Sequence, residues 1–86
     1  MRSNLPEYKP NRWVGRKWHR PEDSRCYQVE LKQNLFGDWV LVRYWGSLYR
    51  RGGQRMENIY NDYDEAYRQM EAVRKQRTQR GYVERL

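Results

Sequence analysis

The residues of this chain that are best suited to chemistry are arginines and aromatic rings. Arginine supplies 14 of the 18 basic residues, and its planar guanidinium binds phosphate oxygens bidentately and also stacks on rings. Trp45-Gly46 lies within the run NLFGDWVLVRYWGSLYRRGG, residues 34–53, where a large flat ring stands beside a residue without a side chain. The formal net charge is +7, so the composition favours a polyanion as the partner.

Four residues of this run and its continuation are candidates for contact with a nucleic acid. A tryptophan that stacks on a base contributes about 1–3 kcal/mol and tolerates any sequence. Arginines on both sides of Gly52-Gly53 are expected to neutralise phosphates, and the backbone N–H groups of this kink add further donors. The structural alternatives are a tryptophan wedged in the core and a basic strand edge that discourages aggregation. The four candidates are Trp45, Arg50, Arg51 and Arg55.

Composition argues against several other classes of protein. Cys26 is the only cysteine and His19 the only histidine, which excludes an intramolecular disulfide and leaves too few ligands for structural zinc. The 11 acidic residues form no recognisable pair with a base or a nucleophile, so we expect no enzymatic activity, no metal and no cofactor. No apolar run approaches the ~18 residues of a membrane span and no signal segment begins the chain, which favours the cytoplasm.

The chain divides into an arm and one small folded domain. Residues 1–24 contain three prolines and several basic residues without sustained periodicity. We therefore expect a basic, partly disordered arm, with Trp13 or Trp18 docked on the rest of the protein. Residues 25–86 are expected to form the domain, whose core is rich in aromatic rings.

Three strands are predicted in the first half of this domain. Residues 26–33 alternate apolar and polar side chains, which is typical of a half-buried strand. Residues 34–38 form a turn in which Leu35 and Phe36 are expected to fold back onto the core. Residues 39–45 carry apolar groups on both faces, as central strands do, and residues 47–60 form a third strand interrupted at the two glycines.

Arg43 lies inside the predicted central strand, between Trp and Leu on the same face. An unpaired buried charge is costly, so this side chain is expected to reach a carboxylate, water or a ligand. Pairing with Glu30 or Asp38 is the interpretation that we favour.

A helix follows the strands. Asp62 and Glu65 have the spacing of a capping box, and Gly81 is expected just beyond the helix end. Tyr82-Val83 is then free to rejoin the sheet. The apolar stripe of the helix consists of Tyr63, Ala66, Tyr67, Met70 and Val73.

The order of these motifs resembles the WGR domain family, named for a Trp-Gly-Arg tripeptide. The runs CYQVELK, LFGDWVLVRYWG and RTQRGY carry the resemblance, which covers about residues 25–82. It implies an α+β fold in which an antiparallel sheet of 3–5 strands has one C-terminal helix packed on one face. In poly(ADP-ribose) polymerases this module binds DNA ends and couples them to a catalytic domain, and small bacterial proteins carry it alone. This chain is similar to the latter.

The resemblance adds two site residues and one departure. Arg77 and Tyr82 match a segment after the helix where a basic residue and an aromatic ring approach a DNA 5′ phosphate. Ser47 stands where the tripeptide has arginine, which weakens the transfer of the DNA-end mechanism. We therefore expect a non-enzymatic module that binds DNA ends or DNA without sequence preference. The alternative is an adaptor that binds a larger protein or itself; the sequence leaves the oligomeric state open.

Overall fold

One antiparallel sheet and one helix form the architecture of the described chain. The computed structural model describes residues 6–47 and 51–85. The strand order across the sheet is β4-β3-β2-β1-β5, and every neighbouring pair is antiparallel. The expected α+β fold is thus confirmed. After a 3-10 turn at Pro10–Arg12, the elements are β1 Val14–Arg20, β2 Arg25–Gln33, β3 Trp39–Ser47, β4 Gln54–Tyr60, α1 Tyr63–Gln79 and β5 Val83–Arg85.

The sheet has two different faces because its side chains alternate along each strand. In β2, residues 27, 29, 31 and 33 are buried and the residues between them are only half-buried. These buried positions belong to the helix face, on which α1 packs through Ala66, Met70 and Val73. The opposite face, which we call the open face, carries Val42 and Tyr44 of β3, and no helix of the described chain covers it.

Helix α1 begins and ends where the sequence predicted. The N–H of Glu65 donates to Asp62 Oδ1 at 2.8 Å, which satisfies one of the free donors of the first turn. At the other end Gly81 has φ +83°, and the N–H of Tyr82 donates to the carbonyl of Arg77 at 3.0 Å. This is a Schellman-type helix end. It turns the chain back so that Tyr82 lies against the last turn of the helix and leads into β5.

The sheet extends further towards the N terminus than the sequence predicted. Val14–Arg20 lies within the segment expected to be an arm, yet it forms β1 and pairs with both β2 and β5. Trp18 is 2% exposed and belongs to the core, so its expected docking is confirmed. The alternation was hard to recognise because Arg16, on the helix face opposite Val29, interrupts the apolar pattern.

The β2–β3 turn corrects a second expectation. Leu35 and Phe36 do not fold onto the core: they are 85% and 80% exposed. The side chain of Asn34 accepts hydrogen bonds from the N–H groups of Phe36 at 2.9 Å and of Asp38 at 3.0 Å. Gly37 adopts φ +84° within the same turn. These local hydrogen bonds fix a tight turn and hold both apolar side chains at its outer tip.

Gln33 connects the N-terminal segment to the sheet. It is 8% exposed, and its Oε1 accepts hydrogen bonds from Lys9 N at 2.6 Å and Trp13 Nε1 at 3.2 Å. Its Nε2 donates to the carbonyls of Glu7 at 2.9 Å and Gly37 at 3.0 Å. The amide therefore uses both donors and accepts two hydrogen bonds, and one buried side chain anchors the segment before β1.

Replacing Gln33 by leucine is expected to lower the free energy of unfolding by about 2–3 kcal/mol, because four polar partners lose their hydrogen bonds in a partly buried place. Urea denaturation followed by circular dichroism measures this change. Gln69→Leu, at an exposed helix position, is the matched control and should change stability by less than about 0.5 kcal/mol. Equal effects at the two positions would contradict the anchoring role.

Candidate nucleic-acid interface

A concave surface at one end of the helix face is lined by five arginines. Its volume is about 350 Å³. Strands β1, β2 and β3 contribute five of its basic or aromatic residues, and the end of α1 closes it. We call this surface the arginine pocket; its lining residues are Arg20, Arg25, Tyr27, Arg43, Trp45, Met56, Arg77, Arg80 and Tyr82.

Arg77 forms the floor of the arginine pocket and is also a structural residue. It is 8% exposed, and its guanidinium carbon lies 4.3 Å from the ring centroid of Tyr27 and 5.1 Å from that of Tyr82. The Schellman-type end of α1 places Tyr82 in this position. Two aromatic faces thus stabilise the cation, while its Nε–H is buried without a hydrogen-bond partner among the described residues.

Arg43 is the second buried donor of the pocket. It forms an ion pair with neither Glu30 nor Asp38, so the expected internal pairing is wrong. Glu30 lies directly opposite Val42 and therefore on the open face. The Nε–H of Arg43 is buried, and no described residue accepts its hydrogen bond. A buried guanidinium donor without an acceptor is costly, and an anion bound in the pocket, which Arg43 lines, would offset part of that cost by pairing with the charge of the guanidinium.

Among the described residues, Asp23 is the only carboxylate that forms an ion pair with these arginines. It binds the fork of Arg20 with two hydrogen bonds, Nε to Oδ1 at 2.9 Å and Nη2 to Oδ2 at 2.7 Å. Arg25 approaches it more loosely, at 3.8 Å. The Arg20 guanidinium holds the pKa of the Asp23 carboxyl below its ordinary value, so the carboxylate stays ionised at neutral pH. Asp23 therefore competes with any phosphate for Arg20.

Trp45 combines a core role with an accessible surface. Its ring stacks on Tyr27 with centroids 5.9 Å apart and an interplanar angle of 13°. It is only half-buried and lines the arginine pocket. Tyr27 covers part of the ring, so the remaining surface of Trp45 can accept one flat or sugar-like group. The two interpretations of this tryptophan, core packing and ligand contact, are both compatible with its position.

A second cavity of about 430 Å³ adjoins the arginine pocket across Trp45 and Arg25, which line both. Arg51 contributes a guanidinium here. Gly52 adopts φ +76°, and a Cβ on Gly53 would meet the Trp45 carbonyl oxygen at 2.8 Å, so the two glycines allow this close return of the chain. Arg50 lies outside the described residues.

Arg55 lies away from the other candidates, on the open face. It pairs with Glu57 at 2.7 Å and its guanidinium carbon lies 5.8 Å from the Tyr44 ring centroid. The contact with Tyr44 is the main cause that raises the pKa of the Arg55 guanidinium above its ordinary value, and the contact with Glu57 is the next. A larger cavity of about 950 Å³ spans this face, lined also by Lys17 and Glu30. It is more open and less basic than the arginine pocket, so its size alone does not make it the better site.

The structure adds two residues that sequence reasoning missed. Arg20 and Arg25 both line the arginine pocket; Arg20 lies in the segment predicted to be an arm, and Arg25 is the first residue of the predicted domain. The strand register brings Arg25 directly opposite Ser47 on β3. The alternation of β2 indicates which face of the sheet Arg25 occupies, but the pairing of β2 with β3 is needed to show which residues lie beside it.

Residues 6–47 and 51–85 contain no cluster of three or more His, Cys, Asp or Glu side chains that could hold a metal ion. No helix within these ranges is long and apolar enough to cross a membrane.

The fold and the surface define a small α+β domain with a concave arginine cluster beside a stacked tryptophan. The family model for the WGR domain matches residues 11–86, and the chain belongs to this family, as the sequence motifs indicated. WGR domains are binding modules rather than catalytic domains, and in poly(ADP-ribose) polymerases they are of a nucleic-acid-binding type. Comparisons with curated proteins and with solved structures gave no match.

Removal of the Arg77 side chain is expected to destabilise the fold. Arg77→Ala loses two ring contacts and the packing of a buried stem, which together should lower the free energy of unfolding by about 2 kcal/mol. Arg74→Ala, one turn earlier and exposed, removes the same charge and should cost less than about 0.5 kcal/mol. Chemical denaturation of both variants measures the difference. A negligible loss for Arg77→Ala would show that its guanidinium is only a surface charge.

Proposed function

We propose that this chain binds nucleic acid, in the first instance DNA, through the arginine pocket and Trp45, and that it does so without catalysis. One observation carries the proposal: five guanidinium groups converge on one concave surface, while Asp23 is the only described carboxylate that forms an ion pair with them. Such a concentration of positive charge in a half-enclosed place attracts phosphates. Membership of a family of binding modules supports the same function.

The pocket suits one phosphate group more than a continuous stretch of backbone. Arg43 and Arg77 line the interior of the pocket, whereas Arg80 is exposed at the rim. A phosphate placed among them would accept charge-assisted hydrogen bonds from the guanidinium groups that line the pocket. The exposed arginine would then neutralise a neighbouring phosphate, and Arg51 a further one across Trp45.

Trp45 supplies the contact that does not depend on charge. Its partly exposed ring borders both cavities, so a base or sugar next to the bound phosphate can lie on it. Stacking of this kind tolerates any sequence. Tyr82 contributes indirectly, since its ring holds Arg77 and faces Arg20 at 4.9 Å. A strand end, where the terminal base and sugar are accessible, fits this arrangement better than the interior of a duplex.

Arg25 provides a guanidinium near the position where the family tripeptide has arginine. Ser47 lies directly opposite Arg25, and the Arg25 side chain is about half exposed. It lines both cavities beside Trp45. We infer that Arg25 contributes the phosphate contact on the strand next to the tripeptide, which compensates for serine at residue 47.

A protein partner is the alternative function, and one observation favours it. Leu35 and Phe36 are held at the tip of a hydrogen-bonded turn and are largely exposed, and adjacent exposed apolar side chains can form the contact with a protein partner. This turn does not line the arginine pocket. The two functions therefore require different residues and can be separated by mutation.

Salt dependence tests the proposed function. Neutralisation of about four phosphates predicts that the logarithm of the association constant falls with the logarithm of salt at a slope of about −3 to −4. Arg25→Ala/Arg80→Ala should make this slope shallower by about 2 and weaken binding at least tenfold at 100 mM salt. Fluorescence anisotropy with a labelled 5′-phosphorylated blunt duplex, an end-less dumbbell of the same sequence, and single-stranded DNA and RNA measures both quantities.

Two control variants show whether a change in the salt slope is specific to the arginine pocket. Arg68→Ala removes an exposed charge near the start of α1, and Arg12→Ala removes one from the segment before β1. Neither should change the slope by as much as one arginine of the pocket. A slope near zero in the wild type would contradict the proposal and favour a protein partner. A slope reduced equally by all variants would indicate attraction to the whole basic surface rather than to the pocket.

Asp23→Asn is expected to strengthen binding. The substitution removes the carboxylate that holds the Arg20 fork, so one more guanidinium becomes available to phosphate. We expect about three- to tenfold tighter binding at 100 mM salt and a slope steeper by about 1. Asp64→Asn, which makes the same charge change at the distant start of α1, is the control. Equal gains from both substitutions would mean that only net charge matters.

A further inference from the structure

Strand β4 is an edge strand with an unpaired side. It comprises Gln54–Tyr60 and pairs only with β3, and no strand of the described chain lies against its outer side. An edge strand exposes a row of backbone N–H and C=O groups that can pair with another strand. Two of its apolar side chains are also exposed, Met56 at 45% and Ile59 at 62%.

We propose that the partner of this edge is a second copy of the chain, paired antiparallel through β4 about a two-fold axis at Met56. The proposal goes beyond nucleic-acid binding and does not depend on it. In this register Met56 lies opposite the partner's Met56, and Arg55 lies opposite the partner's Glu57. Gln54 lies opposite the partner's Asn58. Since a two-fold interface repeats each contact, two Arg–Glu pairs and two Gln–Asn pairs form at once.

Charge complementarity selects this register over its neighbours. In an antiparallel pair, directly opposed residues point to the same face of the sheet. The alternative two-fold registers therefore place the axis at successive residues of β4. With the axis at Glu57, the carboxylate would face the partner's Glu57. With the axis at Arg55, two arginines would face each other. Arg55 and Glu57 already pair within each chain, and like charges directly opposite are unfavourable whereas opposite charges are favourable. Of these three registers, only the axis at Met56 avoids a like-charge contact and extends the pair within each chain into a network across the edge.

The side chains of Gln54 and Asn58 fit the same register. Gln54 is exposed in the single chain and Asn58 is half-buried, so the two amides can approach each other across the edge. Each amide can both donate and accept a hydrogen bond. The proposed register therefore opposes two groups that can pair with each other.

Charge reversal tests the proposal on the full chain without nucleic acid. Sedimentation equilibrium from roughly 10 µM to 1 mM covers the range expected for a small interface. The wild type should dimerise within this range. Arg55→Glu and Glu57→Arg each place like charges opposite one another twice and should each weaken dimerisation at least about tenfold. The double swap, Arg55→Glu/Glu57→Arg, restores opposite charges and should recover the wild-type constant.

The controls separate specific pairing from general charge effects. Arg68→Glu makes the same charge reversal away from β4 and should leave dimerisation unchanged. Circular dichroism of each variant checks that the single chain stays folded. A wild type that remains monomeric at 1 mM overturns the proposal. So does a dimer that both single reversals leave intact, or one that the double swap fails to recover.

Cysteine substitution reads the register directly. In a Cys26→Ser background, Met56→Cys places two thiols opposite each other across the axis, about 4.5–5.5 Å apart between Cα atoms, which a disulfide can span. Ile59→Cys exposes an equally accessible thiol, but the two copies of residue 59 would lie roughly 20 Å apart. Mild oxidation should therefore link Met56→Cys at least tenfold faster. Equal rates, or a faster reaction of Ile59→Cys, would overturn the register.

Discussion

The burial of the Arg77 guanidinium between Tyr27 and Tyr82 is the interaction on which the rest of the structure depends. It joins the last turn of α1 to β2 and to the residue that leads into β5. Tyr27 in turn carries Trp45 by stacking. A buried cation is acceptable here because aromatic faces replace part of its hydration. The same guanidinium lines the arginine pocket, so the residue that joins the helix to the sheet is also one that an anion in the pocket would stabilise.

This arrangement has a cost for the chain without a ligand. Five arginines share one concave surface, and Asp23 offsets only part of their mutual repulsion. Residues that suit a ligand often lower the stability of the free protein. An anion that binds the folded state alone would recover that stability in proportion to its concentration. The aromatic contacts of Arg77 and the helix-end hydrogen bonds of Tyr82 therefore have to hold the pocket together before any ligand arrives.

Local signals in the sequence predicted the helix and the two central strands well. The cap at Asp62 and the turn at Gly81 use hydrogen bonds between residues a few positions apart, so sequence spacing is sufficient to locate them. The strand β1 was missed because Arg16 occupies a buried-face position between apolar residues. Leu35 and Phe36 were misplaced because apolar character predicts burial only when local hydrogen bonds, here those of Asn34, permit it.

The candidate site was less predictable, since it depends on strand register rather than on spacing. Trp45 and Arg77 are far apart in the chain and meet only through Tyr27, while Arg25 enters the pocket because β2 pairs with β3. Arg55 shows the opposite case: it is close to Arg51 in sequence, yet strand alternation turns it to the open face. Arginines that are close in sequence are thus not always close in space. Only those whose side chains lie on the same face of the sheet can contact one ligand together.

Strand pairing at β4 would change what the arginine pocket can do. A two-fold axis perpendicular to the sheet keeps both helix faces on the same side, so both pockets face one ligand. Each Trp45 lies one strand inside its own β4 and opposite Gln54, which puts the two rings roughly 20 Å apart in a flat sheet. Two chains that each carry +7 repel one another, whereas a polyanion that reaches both pockets removes that repulsion. By linkage, a ligand that binds the pair more tightly than the single chain also promotes pairing. Once one pocket has bound a polyanion, the second pocket meets the same polyanion at a high effective concentration, so the two pockets together bind it more tightly than either alone.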